Sequence, residues 1–148
     1  MATILQHCLL ALLASGLLVM RLTRGAAETG IGRTRILLIG SAAFIIHAAL
    51  LYPAILTESA LNLGLVNAMS LIALLTAALL LVSASREPVE NLGIVVFAVA
   101  ALSIALLLLF PASASGTRVS WQLDTHILIS LLAYSILGLA ALQALLLA

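Results

Sequence analysis

The chain has 148 residues, 65% hydrophobic and 7% charged, with six arginines, no lysine and a net charge of +1. Ordinary soluble domains are about 45–50% apolar and about 25% charged, and a soluble core of this length could not hide so much hydrocarbon; the composition predicts an integral membrane protein. The near-neutral charge gives no support to nucleic acid or broadly acidic partners, and a single cysteine, Cys8, excludes an internal disulfide.

Residues 4–20 form an apolar run interrupted by Gln6 and His7. The run lacks the basic start and small-residue cleavage site of a secretory signal, and Leu5-Gln6-His7-Cys8 matches a lipoprotein cleavage box poorly, so it reads as a retained helix. The linker 21–35 carries Arg21, Arg24, Arg33 and Arg35 against one acid, Glu28. The positive-inside rule puts this loop in the cytoplasm and the N-terminus outside. A second helix is expected over 36–52, containing His47 and closed by Pro53, which cannot continue the hydrogen-bond ladder. A third is expected over 63–82, with Asn62, Asn67 and Ser70 near its outer end. The loop 83–91 then returns to the cytoplasm, where Arg86 is accompanied by Glu87 and Glu90. A fourth, over 92–110, ends at Pro111, and an outer loop with Arg118 and Trp121 leads to a fifth over 123–147. At ~1.5 Å per residue this last helix is roughly 39 Å long, more than the ~30 Å of bilayer hydrocarbon. The expected fold is therefore a single all-α domain, 1–148: a five-helix transmembrane bundle, N-out and C-in. Its apolar ending, with no basic anchor, predicts further helices or another subunit completing a larger bundle.

Chemistry concentrates at the outer start of the fifth helix. His126, Ser130 and Tyr134 recur at four-residue intervals, which places them on one helical face, with Trp121 and Asp124 just ahead. Lipid gains nothing from such groups, so this face should look into a protein interior or a ligand cavity. His47 lies five residues inward from Tyr52, and His126 five inward from Trp121. Tyrosine and tryptophan favour the headgroup level, so both imidazoles should sit ~7–8 Å below it. His7 falls near the same outer surface.

Neutral imidazole is a ligand for iron, zinc or copper, but no Cys-x-x-Cys, His-Glu-x-x-His or acid cluster accompanies these histidines. A structural zinc site needs four ligands. Haem iron takes at most two axial ligands from protein, and its apolar macrocycle suits a membrane wall. Haem is thus the metal-containing cofactor that best fits His126 and His47. Tyr134 would orient His126 or the ligand, Trp121 stands beside the site, and Arg118 could pair with a propionate. The competing reading makes the histidines interhelical hydrogen-bonding groups, worth ~0.6 kcal/mol on average; it is preferred for His7, and both readings stand for the His47–His126 pair. Helices packed at ~8–10 Å leave no space for a porphyrin, so a haem needs splayed helices or the bundle rim. Asn62 and Asn67 are expected to join helices, Ser130 to bond the carbonyl four residues back, and Gly40 and Gly138 to allow close helix approach. No nucleophile–base pair, phosphate-cradling loop or two-carboxylate arrangement can be assembled, so the chain is read as non-enzymatic.

Several segments, in order, carry a family resemblance: His47-Ala-Ala-Leu, Leu61-Asn-Leu-Gly-Leu-Val-Asn67-Ala-Met-Ser-Leu, Val82-Ser-Ala-Ser-Arg86, His126-Ile-Leu-Ile-Ser-Leu-Leu-Ala-Tyr134-Ser and Leu139-Ala-Ala-Leu-Gln143-Ala. Together they resemble the cytochrome c assembly membrane protein family, specifically its HemX-like and YpjD-like branch, relatives of the CcsA and CcmC haem handlers. The resemblance implies a bacterial inner-membrane protein that binds, moves or monitors haem, with His126 at the position of an outward-side haem ligand and His47 at a histidine of the matching helix. It also implies apocytochrome or other assembly factors as partners. The tryptophan-rich outer segment of the haem handlers is absent, since Trp121 is the only tryptophan. The alternative function is a non-enzymatic membrane scaffold or transporter subunit whose histidines are structural.

Overall fold

The computed structural model describes residues 2–25, 30, 32–56, 61–110 and 120–147. These form five long helices: α1 (Ala2–Arg24), α2 (Arg33–Ile55), α3 (Leu65–Arg86), α4 (Gly93–Leu109) and α5 (Trp121–Leu147). A 3-10 turn, Glu90–Leu92, leads into α4, and one isolated antiparallel bridge, Leu56 to Leu61, ties the α2–α3 hairpin. Each of the five is long and apolar enough to cross a membrane.

Four of the helices are longer than hydropathy alone predicts, and α4 is slightly shorter. α1 runs on to Arg24 because Arg21 and Arg24 are good helix formers that suit the negative end of the helix dipole. α3 continues to Arg86 through a serine-rich turn in which the Ser85 hydroxyl donates to Val82 O at 2.6 Å. Pro53 does not close α2 as expected; it lies inside the helix, which ends only when Leu56 N has bonded Tyr52 O at 2.9 Å. A proline in the last turn forfeits a single ladder bond near a terminus where carbonyls are already unpaired.

α1, α2, α3 and α4 close into a ring in which each packs on the next and α4 packs back on α1. Its core is built largely from small residues: Ala11 and Ala14 of α1, Ala43 of α2, Ala77 of α3 and Ala101 of α4, with Leu18, Ile36, Leu80 and Phe97 between them. In lipid, helices gain little from burying apolar surface against one another, and close backbone approach supplies the attraction instead. Gly40 carries that logic furthest, because a Cβ there would stand 2.5 Å from Phe97 Cζ. Gly138 does not: a Cβ there would meet nothing within 4 Å, which corrects the expectation of close packing at that point. Two interhelical hydrogen bonds add direction to the α1–α4 seam, Ser15 Oγ to Ile94 O at 2.7 Å and Cys8 Sγ to Ala101 O at 3.6 Å.

α5 stands outside the ring. It packs on α3 and touches the 3-10 turn, and among its described side chains only Leu131 and Ser135 are buried. Ser135 Oγ donates to Leu131 O at 2.8 Å and lies 3.3 Å from Ile72 O of α3, which fixes the register of the two parallel helices. Between α4 and α5, floored by α3, a cleft of about 430 Å³ opens sideways, lined by Met69, Ile72, Ala73, Thr76, Val96 and Gly138 among others. The Thr76 hydroxyl is already spent on Ile72 O at 2.8 Å, so the cleft presents hydrocarbon.

Candidate functional site

The residues singled out by sequence fall at two places. The first is a polar seam between α2 and α3. His47 is 1% exposed, and its Nε2 lies 2.9 Å from Ser70 Oγ, itself fully buried. One turn nearer the α2–α3 connection, Asn67 Nδ2 donates to Ala54 O at 3.0 Å and to Asn62 O at 2.8 Å, joining the last turn of α2 to the start of α3. Asn62 in turn receives Gly64 N on its Oδ1 at 3.3 Å and gives its own N–H to Ile55 O at 2.8 Å. The two asparagines therefore build the hairpin, as their spacing predicts. Asn67 Oδ1 is buried and has no hydrogen-bond partner among the described residues.

The second place is the N-terminal half of α5. His126 is exposed there, and its ring has no partner among the described residues. Ser130 donates to His126 O at 2.8 Å, the back-bond expected of it. Tyr134 is 63% exposed, and its hydroxyl is likewise without a partner among the described residues. Eight residues separate it from His126, roughly 12 Å along the axis, so it cannot orient that imidazole by contact. Trp121 is 72% exposed, but five residues amount to ~500° of helical rotation, which turns it about 140° away from His126. Arg118 lies outside the described residues, as does the side chain of His7.

Ser135 sets Leu131 level with Ile72, and counting back along the two helices puts His126 level with Asn67. His47, bonded to Ser70, lies about one helical turn deeper, ~5 Å at 1.5 Å per residue. The two imidazoles are close in height yet do not meet. One is enclosed between α2 and α3, and the other stands on a helix that packs on α3 from outside the ring. Neither lines the cleft beside α4, and among the described residues no group of three or more His, Cys, Asp or Glu side chains converges.

Sequence reasoning passed over a third polar constellation, at the opposite end. The Glu90 carboxylate, 8% exposed, accepts from Arg21 Nη1 at 3.0 Å, and Arg33 Nε stands 3.5 Å from its second oxygen. Arg33 Nη2 also donates to Ala84 O and to Glu87 O at the C-terminal end of α3. One carboxylate thus gathers the ends of α1, α2 and α3 around the turn that starts α4. The signal available in the sequence was an acid at the start of a helix facing four arginines across a short loop.

The fold so defined is a helical chain of membrane-spanning proportions with a peripheral fifth helix. Comparison with known protein families, with characterised proteins and with solved structures found no match.

Proposed function

We propose that the chain is a multi-pass protein of the bacterial inner membrane that holds haem at the outer rim of its bundle, in cytochrome c maturation or haem-linked regulation. The observation that carries the reading is the outer half of α5. An imidazole and a phenol stand there with no protein partner among the described residues, on a helix whose surroundings would otherwise be hydrocarbon. Polar groups so placed in a membrane call for a ligand or another chain.

The donor set fits one axial imidazole rather than two. His126 is accessible from the side, whereas His47 is enclosed and engaged with Ser70. A rim position also avoids the spacing problem, because His126 and Tyr134 are exposed among the described residues. His126 would hold the iron through its imidazole, Tyr134 would supply a hydroxyl deeper in the membrane, and surrounding leucines would cover the macrocycle. The arginines at the Glu90 end support an orientation with that end in the cytoplasm and His126 near the outer surface. Further helices or an assembly partner, such as an apocytochrome-binding factor, would cover the remaining face of α5.

The test is the absorption spectrum of protein purified in detergent from cells supplied with haem. A Soret band is expected, lost in His126→Ala and retained in His47→Ala. A band that survives His126→Ala, or none in the parent chain, overturns the proposal. The bond between His47 and Ser70 favours a second reading, a helical scaffold with structural histidines, in which both substitutions alter stability alone.

A further inference from the structure

Five of the six arginines lie at one end of the bundle, and the structure divides them into two kinds. Arg21 and Arg33 are drawn onto Glu90 and onto the inner carbonyls of α3. Arg24, Arg35 and Arg86 are exposed and have no partner among the described residues. All three lie within three residues of the groups that meet around Glu90, so they belong to the same end of the bundle. Arg24 is one turn beyond Arg21 on α1, Arg35 is two residues beyond Arg33 on α2, and Arg86 is two residues beyond Ala84, whose carbonyl Arg33 bonds. Only one described acid on this rim is left exposed, Glu87. Three guanidiniums without a partner among the described residues, one on each of α1, α2 and α3, at the end where apolar helix meets water, form a positive rim that anionic lipid headgroups complement. Guanidinium also suits phosphate geometry, with paired N–H donors matching paired oxygens.

We infer that Arg24, Arg35 and Arg86, each from its own helix, contact the phosphates of anionic phospholipids around this rim, a role distinct from that of Arg21 and Arg33, which hold the helices together. The inference rests on membrane insertion and is independent of any ligand at His126. Sequence alone cannot draw this division, since all five arginines flank hydrophobic runs in the same way.

The experiment reconstitutes the full chain in nanodiscs of mixed phosphatidylglycerol and phosphatidylcholine and measures which lipid stays bound on release into mild detergent. The parent chain should retain phosphatidylglycerol preferentially. Each exposed arginine contributes about fivefold, so the Arg24→Gln/Arg35→Gln/Arg86→Gln variant should lose about a hundredfold in preference with unchanged helicity and unfolding. If that variant fails to fold, Arg35→Gln alone should lower the preference about fivefold. Arg21→Gln should weaken stability and leave the preference within about twofold, and added salt should weaken retention in the parent chain. Equal retention of both lipids by the parent chain, or a preference untouched in the exposed-arginine variants, overturns the inference.

Discussion

Glu90→Gln tests the latch that gathers α1, α2 and α3 at the start of α4. The substitution keeps the shape of the side chain and one carbonyl oxygen, so Arg21 Nη1 can still donate to it, but it removes the charge shared by two guanidiniums at 3.0 and 3.5 Å. Breaking a fully buried ion pair costs about 3–5 kcal/mol, and an exposed pair is worth at most about 1 kcal/mol. Here the carboxylate is 8% exposed, but the arginines are 22% and 35% exposed and can recover water. Arg33 also keeps its two carbonyl acceptors. The cost should therefore fall between those limits, at about 2 kcal/mol. The assay is unfolding of the detergent-solubilised chain by added dodecyl sulfate, followed by circular dichroism. Glu87→Gln serves as the control, since that side chain is exposed and should cost less than about 0.5 kcal/mol. A double-mutant cycle with Arg21→Gln should return a coupling of about 1 kcal/mol. Equal stability of the Glu90 and Glu87 variants, or zero coupling to Arg21, would refute the reasoning.

Other substitutions probe the packing and the seam. Gly40→Ala forces a methyl against Phe97, 2.5 Å away, and should destabilise by about 1–3 kcal/mol in the same unfolding assay. Gly138→Ala enters open space and should change stability by less than about 0.5 kcal/mol. Ser70→Ala removes the 2.9 Å partner of His47 and should cost about 0.6–1.7 kcal/mol while leaving any haem spectrum unchanged. Tyr134→Phe deletes an exposed hydroxyl and should leave unfolding unaltered; a change in the haem spectrum would show that the phenol reaches the ligand.

Much of the scaffold is legible in the sequence because its segments are bounded by arginines, asparagines and prolines that a membrane interior does not tolerate freely. The number and order of the helices, the back-bond of Ser130 and the hairpin asparagines all follow from local rules. Hydropathy places helix ends too early where it fades but the backbone continues, as at Arg24 and Arg86. Pro53 misleads for a related reason: its cost is small in a last turn.

What the sequence could not show is which neighbours each helix chooses. The polar side chains of α5 do not mark the face that docks: His126 and Tyr134 are exposed, while Ser135 and Leu131 are the side chains buried against the bundle. His47 and His126 look equivalent in a list of residues, yet one is enclosed by the ring and the other stands outside it. Glu90 reads as a loop acid cancelling Arg86, whereas in the fold it reaches across to Arg21 and Arg33, more than fifty residues away. That pairing depends on the ring being closed, and ring closure depends on small residues meeting from four different helices.

The most direct test of the haem reading is the electron paramagnetic resonance of the ferric form, recorded for the parent chain and for His47→Ala. A single imidazole from an exposed helix predicts a high-spin, five-coordinate signal that is the same in both and converts to low spin on adding free imidazole. A low-spin, two-histidine signal that vanishes in His47→Ala would contradict the placement of the site on α5.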